Sequence, residues 1–268
     1  MQNIHGQTLD AERALYGIRD AEVRDCRFEG PADGESALKE CRNIGVYNCD
    51  FQLRYPLWHV EKGVLRDCRM SDTCRAALWY DRDIEIEDSI LGGIKAVREC
   101  DDIRLRRCQI VSQEFGWLCR GIELHECSLE SEYPFLQTRN LHATKLKMRG
   151  KYSFQYLDGG EIRDSELNTK DAFWHSRNVT VTDSVVAGEY LGWYSENLTL
   201  VRCKISGTQP LCYARGLKLI DCTMEGCDLS FEKTSVEARI FGRVDSIKNP
   251  NPDSHIEADE VGEWIAAD

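Results

Sequence analysis

Short stretches in which apolar residues alternate with polar ones recur along the chain, at Ile103-x-Leu105, Ile122-x-Leu124, Val179-x-Val181, Leu198-x-Leu200 and Leu217-x-Leu219. A period of two predicts strands. Three residues beyond each pair stands a marker position, read as Cys26, Cys49, Cys68, Ser89, Cys108, Cys127, Leu146, Ser165, Ser184, Cys203, Cys222 and Phe241. From Ser89 onward every interval between markers is 19 residues, and the earlier ones are 23, 19 and 21. Six places before the markers, from Asn43 to Ser235, nine of eleven residues are Asn, Asp or Gly, the types that tolerate a left-handed corner. Gly150, Gly188, Gly207 and Gly226, four places after a marker, announce a second turn.

Repeats of this length cannot bury an apolar face alone and must stack on their neighbours. Short strands broken by turns and stacked about 4.8 Å apart make an all-β, single-domain right-handed parallel β-helix of 19-residue coils, its hand set by the sterics of parallel crossovers. Eleven marker intervals predict about eleven coils, over residues 20–241. Residues 1–19, which contain DAERALYGIRD, are expected to be an N-terminal cap, either a short helix or a partial coil. Residues 242–268 are expected to be a C-terminal cap, with Pro250 and Pro252 stopping further pairing. No linker or change of composition divides the chain, which predicts one domain.

The phrases LRYPLWH, CRAALWYDRDIEI, KYSFQY, TKDAFWH, GEYLGWYSENLT, GTQPLCY and SIKNP resemble those of a bacterial β-helix family known only as a domain of unknown function. The resemblance covers essentially the whole chain. It implies the pectin-lyase-like right-handed β-helix fold and brings no activity or catalytic residue with it. That fold hosts lyases, glycosidases and non-enzymatic adhesins, so function has to be argued from the residues.

Composition narrows the classes. The net charge is −12 and the pI about 5.1, which disfavours phosphate-backbone binding. Neither nucleic acid nor a membrane is expected as a partner, since no apolar run approaches the roughly 18 residues of a span. The first residues lack the basic start and apolar run of a secretory signal, so the cytoplasm is the expected compartment. Seven of the thirteen cysteines occupy the marker column. Stacked residues with parallel Cβ vectors suit a disulfide poorly, and no CxxC pair exists, so the expectation is small core residues, with no metal and no cofactor. Asn178 and Asn197 match glycosylation sequons but belong to the corner column. A homo-oligomer is compatible with the pattern.

The second strand of each coil, as in RYPLWHV, KDAFWHS or EYLGWYS, carries the candidate chemistry. Read as a strand, one face holds Trp58, Trp117, Trp174 and Trp193 among small residues and is expected to be core. The other face holds Tyr133, Tyr152, Tyr156, Tyr190, Tyr194, Tyr213, His59 and Glu99 with other acids. If that face is outward, rings and carboxylates line a strip suited to an oligo- or polysaccharide, the favoured ligand. The alternative is a ladder that only stabilises the sheet, in a structural or protein-binding solenoid. Arg98 and Gln155 interrupt the Trp column and would have to be paired if it is buried.

Whether the protein is an enzyme is left open. The sharpest group is Asp171 and His175, with Tyr152, Tyr156, Tyr190 and Tyr194 on adjacent coils. No second carboxylate shares Asp171's column next door, which counts against a glycosidase. A lyase would use His175 as general base and Lys170 or Lys151 to neutralise a uronate carboxylate.

Overall fold

The computed structural model describes residues 2–266, with 28 strands and no helix among them. It divides into two compact units, Met1–Glu132 and Tyr133–Asp268. Both are built as a parallel β-solenoid.

In the first unit the strands Arg19–Arg24, Arg42–Tyr47, Glu61–Arg66, Arg82–Glu87, Asp101–Arg106 and Arg120–His125 stack in parallel, with Ile84 opposite Gly63 and Ile103. Shorter strands after the markers form a second stack, and Leu57–Trp58, Leu78–Trp79 and Val97–Arg98 a third. Gln2–His5 already pairs in coil register, Gln2 with Ala21, so the described residues before the first full coil, from Gln2 on, are a partial coil rather than a helix.

The second unit repeats the plan through Arg139–Thr144, Asp158–Arg163, Arg177–Thr182, Thr199–Val201 and Leu217–Thr223. The pattern does not dissolve after residue 241. Val236–Lys248 pairs with His255–Ile265 from Glu237↔His255 to Lys248↔Ile265. Pro250 and Pro252 lie in the connection between these strands, where no ladder N–H is needed, and so do not stop the pairing. A bulge places Ile240 opposite Cys222, so Ile240, buried, takes the last marker place and Phe241 turns outward at 41% exposure.

Ten of the eleven corner residues have φ between 54° and 76°; Ser235 does not. A second left-handed column escaped the sequence reading. Every residue preceding a marker, from Asp25 to Asp221, has φ between 49° and 54°. This accounts for the serines at the marker places Ser89, Ser165 and Ser184. Asp183 N–H donates to the Val201 carbonyl on one side and Val185 N–H to the Ser165 carbonyl on the other, leaving the marker amide between them without a ladder acceptor. A marker hydroxyl supplies one: Ser184 Oγ accepts the Ser165 N–H at 3.0 Å and donates to the Thr182 carbonyl at 2.7 Å. A thiol makes the same donation, Cys203 Sγ reaching the Val201 carbonyl at 3.4 Å. All thirteen cysteines are free and buried. Gly188 and Gly207 have φ of 148° and 129°, and a Cβ there would lie 2.2 and 1.9 Å from a carbonyl oxygen of the neighbouring coil.

The third side of the second unit is not a strand. Tyr133, Phe135 and Gln137, then Tyr152, Phe154 and Tyr156, then Asp171, Phe173 and His175 all have φ between 53° and 62°. Left-handed residues at every second position abolish strict two-face alternation. Phe135, Phe154 and Phe173 therefore turn inward and stack 5.3 and 4.7 Å apart as the core column. The Trp column, expected inside, is only half-buried. Arg98 and Gln155 within it are likewise partly exposed, and Arg98 pairs with Glu99.

Candidate functional site, a surface ladder of aromatic rings

The left-handed fifth residue of each short turn projects outward, one coil above the last. In the second unit this stacks Tyr156 on His175 at 5.0 Å and 6°, His175 on Tyr194 at 5.1 Å and 8°, and Tyr194 on Tyr213 at 5.1 Å and 15°. Tyr156 and Tyr194 are 50% and 45% exposed. Because the ring faces meet one another, solvent meets mainly edges and hydroxyls.

Trp174 and Trp193 lie beside this ladder, stacked at 5.4 Å and 3°. Their indole Nε1 groups donate to the carbonyls of Tyr190 and Gln209, at 2.7 and 2.8 Å. Trp193 meets Tyr190 and Tyr213 edge-on at 5.3 and 5.2 Å. The ladder is fixed at one end, where the Tyr213 hydroxyl donates to Glu232 at 3.0 Å and Glu232 pairs with Lys248 at 3.2 Å. Burial, then the hydrogen bond to Glu232 and the charge it carries, push the Tyr213 hydroxyl up to about 12. Burial opposes ionisation of Glu232, but hydrogen bonds from Tyr213 and Lys248 outweigh it and hold the carboxyl below its ordinary value.

The six groups expected to converge do not form one patch. His175, Tyr156 and Tyr194 meet, while Tyr152 stacks on Tyr133 at 4.5 Å in the other outward column. Asp171, between Tyr152 and Tyr190 in that column, is only 4% exposed, and burial raises its carboxyl above the ordinary range against the pull of Lys170. It is a covered side chain and does not lie on the strip. Lys170 is engaged by Glu189 at 2.7 Å and sits 5.3 Å over the Tyr190 ring. Of the expected group, His175 lies on the exposed ladder, Asp171 is covered and Lys170 is engaged by Glu189.

The first unit carries a different cluster. Lys39 lies 3.7 Å over Trp58, Trp58 stacks on Trp79 at 4.9 Å, and Arg98 lies 4.9 Å over Trp79. His59 Nδ1 is 3.0 Å from Glu40, and Lys95 is 2.9 Å from Glu114. Burial works against ionised Glu99, yet the Tyr80 hydroxyl and the Arg98 guanidinium together hold its carboxyl below the ordinary range. Each acid expected on the strip here has a partner.

Sequence reasoning missed the surface position of the indoles and the roles of Glu189 and Lys248. The available signal was that Trp58, Trp79, Trp174 and Trp193 are each followed directly by Tyr or His. Trp174 and Trp193 find backbone acceptors at the surface, whereas the Trp58 and Trp79 indole nitrogens are buried without one. Among the described residues no three His, Cys, Asp or Glu side chains are grouped to hold a metal ion.

Several solved β-solenoids are similar to the chain at low identity. One is HetL, a pentapeptide repeat protein of the cyanobacterium Nostoc, at 14% identity over 84% of this chain and 92% of that one, TM-score 0.37. Another is the Azotobacter vinelandii mannuronan C-5 epimerase AlgE4 A-module, at 8% identity over 99% and 88%, TM-score 0.39. A third is PfbA, a surface adhesin of Streptococcus pneumoniae, at 10% identity over 87% and 70%, TM-score 0.36. No curated protein matches the chain. A family model matches residues 2–268, and the chain belongs to that family, the proteins of unknown function DUF3737.

Proposed function

We propose that the protein is a binding solenoid that holds an oligo- or polysaccharide along the Tyr156, His175, Tyr194 and Tyr213 ladder. The observation that carries the reading is the exposed stack itself, four rings about one coil apart and braced by Trp193, Glu232 and Lys248. Its Tyr hydroxyls and imidazole edge repeat at the coil spacing, which suits an extended, polyhydroxylated ligand better than a compact one. Recognition is by hydrogen bonds to sugar hydroxyls, because the inner ring faces are already covered by one another. A net charge of −12 favours a neutral or weakly charged glycan over a polyanion.

No catalytic step is assigned, since Asp171 is covered and Lys170 is held by Glu189. The test is a glycan array, followed by affinity electrophoresis in neutral and uronic polysaccharides. Retardation in at least one polysaccharide is expected. Failure to bind any glycan, with a protein partner recovered instead, would replace this reading with that of a protein-interaction module.

A further inference from the structure

Between the two left-handed corners of each coil, a strand presents two outward positions, four and two residues before the marker. In the second unit these are Glu161 and Arg163 on one coil, paired with each other at 3.2 Å, and, four coils on beside the bulge, Glu237 and Arg239, the latter paired with Glu257 at 3.1 Å. Between them the charges nearly vanish. Thr180 stands opposite Thr199, Thr182 opposite Val201, and Val201 opposite Ile220, itself 45% exposed. The sole ionisable outward side chain there is Lys218, opposite Thr199. In a chain with 30% charged residues, a β-branched face framed by charge is a candidate contact surface, with a hollow at its Lys218 and Ile220 end.

We propose that this face docks a second copy of the chain through a two-fold axis parallel to the direction of coil stacking. Such an axis keeps each coil opposite the same coil and exchanges the two outward columns. Glu161 then meets Arg163 of the partner subunit, Glu237 meets Arg239 of the partner subunit, and Thr199 meets Val201 of the partner subunit. Lys218 meets Ile220 of the partner subunit, laying its methylene stem on the apolar side chain with the ammonium in solvent. A two-fold axis across the stack would instead set Glu161 against Glu237 and Arg163 against Arg239. Charge therefore selects the first arrangement, with strands aligned as in face-packed sheets. The face measures roughly 20 Å along the stack and about 17 Å along the strands. That is small for a specific interface, so association is weak and concentration-dependent.

Analytical ultracentrifugation over a wide concentration range tests the proposal. The expected result is a mass rising from 30.7 kDa toward twice that value. Val201→Glu, an outward substitution that leaves the core untouched, should hold the protein at 30.7 kDa. Arg163→Glu should weaken association about tenfold. Adding Glu161→Arg to it should restore association, because the exchanged columns again bear opposite charges. A mass of 30.7 kDa at every concentration, or a dimer indifferent to Val201→Glu, overturns the interface. A double charge exchange that fails to restore what the single change lost overturns the two-fold axis.

Discussion

The indole Nε1 of Trp174 donates to the backbone carbonyl of Tyr190, 2.7 Å away on the next coil. A ring expected in the core is thus a clasp between coils at the surface, while Phe173 beside it, 1% exposed, fills the interior. The two positions should respond differently to substitution. Phe173→Ala should cost about 3–5 kcal/mol. Trp174→Phe, which removes one hydrogen bond and keeps a ring, should cost about 1 kcal/mol. Urea midpoints of the two variants check this; a larger loss for Trp174→Phe would contradict the placement.

Ser184 should matter through its oxygen, which serves the otherwise unsatisfied amide of Ser165. Ser184→Ala should destabilise by about 1–3 kcal/mol, the cost of a buried donor left without an acceptor. Ser184→Cys, which restores the residue type found at most markers, should recover part of that loss. Equilibrium unfolding of the three proteins decides it, and equal stability of Ser184→Ala and the parent would show that the amide is satisfied otherwise.

Asp81 gives a pH dependence whose sign follows from its surroundings. It is 1% exposed; Oδ1 accepts the Val60 N–H at 2.7 Å and Oδ2 has no partner. Burial raises its carboxyl well above 3.8. Above about pH 4 the unfolded chain has lost a proton that the folded protein retains, so stability falls with rising pH until the folded carboxyl also ionises. The limiting slope is about 1.4 kcal/mol per pH unit. Asp81→Asn mimics the protonated acid and should remove that component, flattening urea stability measured upward from about pH 4. Identical slopes in both proteins would mean that Asp81 does not titrate in this window.

Much of the fold was legible because its determinants are local. The Asn, Asp and Gly corners, the alternation at Val179 and Val181, and the 19-residue interval are each set by backbone sterics or by burial on a pleated sheet. What was not legible came from a second kind of left-handed residue. Asp183, Arg202 and Lys145 share φ near 50° although their side chains share little. The same cause misplaced the tryptophans. Tyr152, Phe154 and Tyr156 look like a period-two strand, yet each is left-handed, so Phe154 is buried and Tyr156 exposed. In the candidate site the sequence left open which face is outward; Tyr133, Tyr156 and Tyr194 are exposed, and Tyr152, Tyr190 and Tyr213 are half-buried. Burial of Asp171 and capture of Lys170 by Glu189 depend on neighbouring coils and could not be read from one repeat.

The most direct test of the ladder as a binding face is calorimetric titration of the best glycan from the array into the parent protein, Tyr156→Ala, Tyr194→Ala and Tyr16→Ala. Tyr16 is exposed at 55% and lies outside the ladder, so it serves as the control. Each ladder substitution should weaken binding about tenfold or more, a loss near 1.4 kcal/mol, with the Tyr16 variant unchanged. Parent-like affinity in both ladder variants would contradict the assignment.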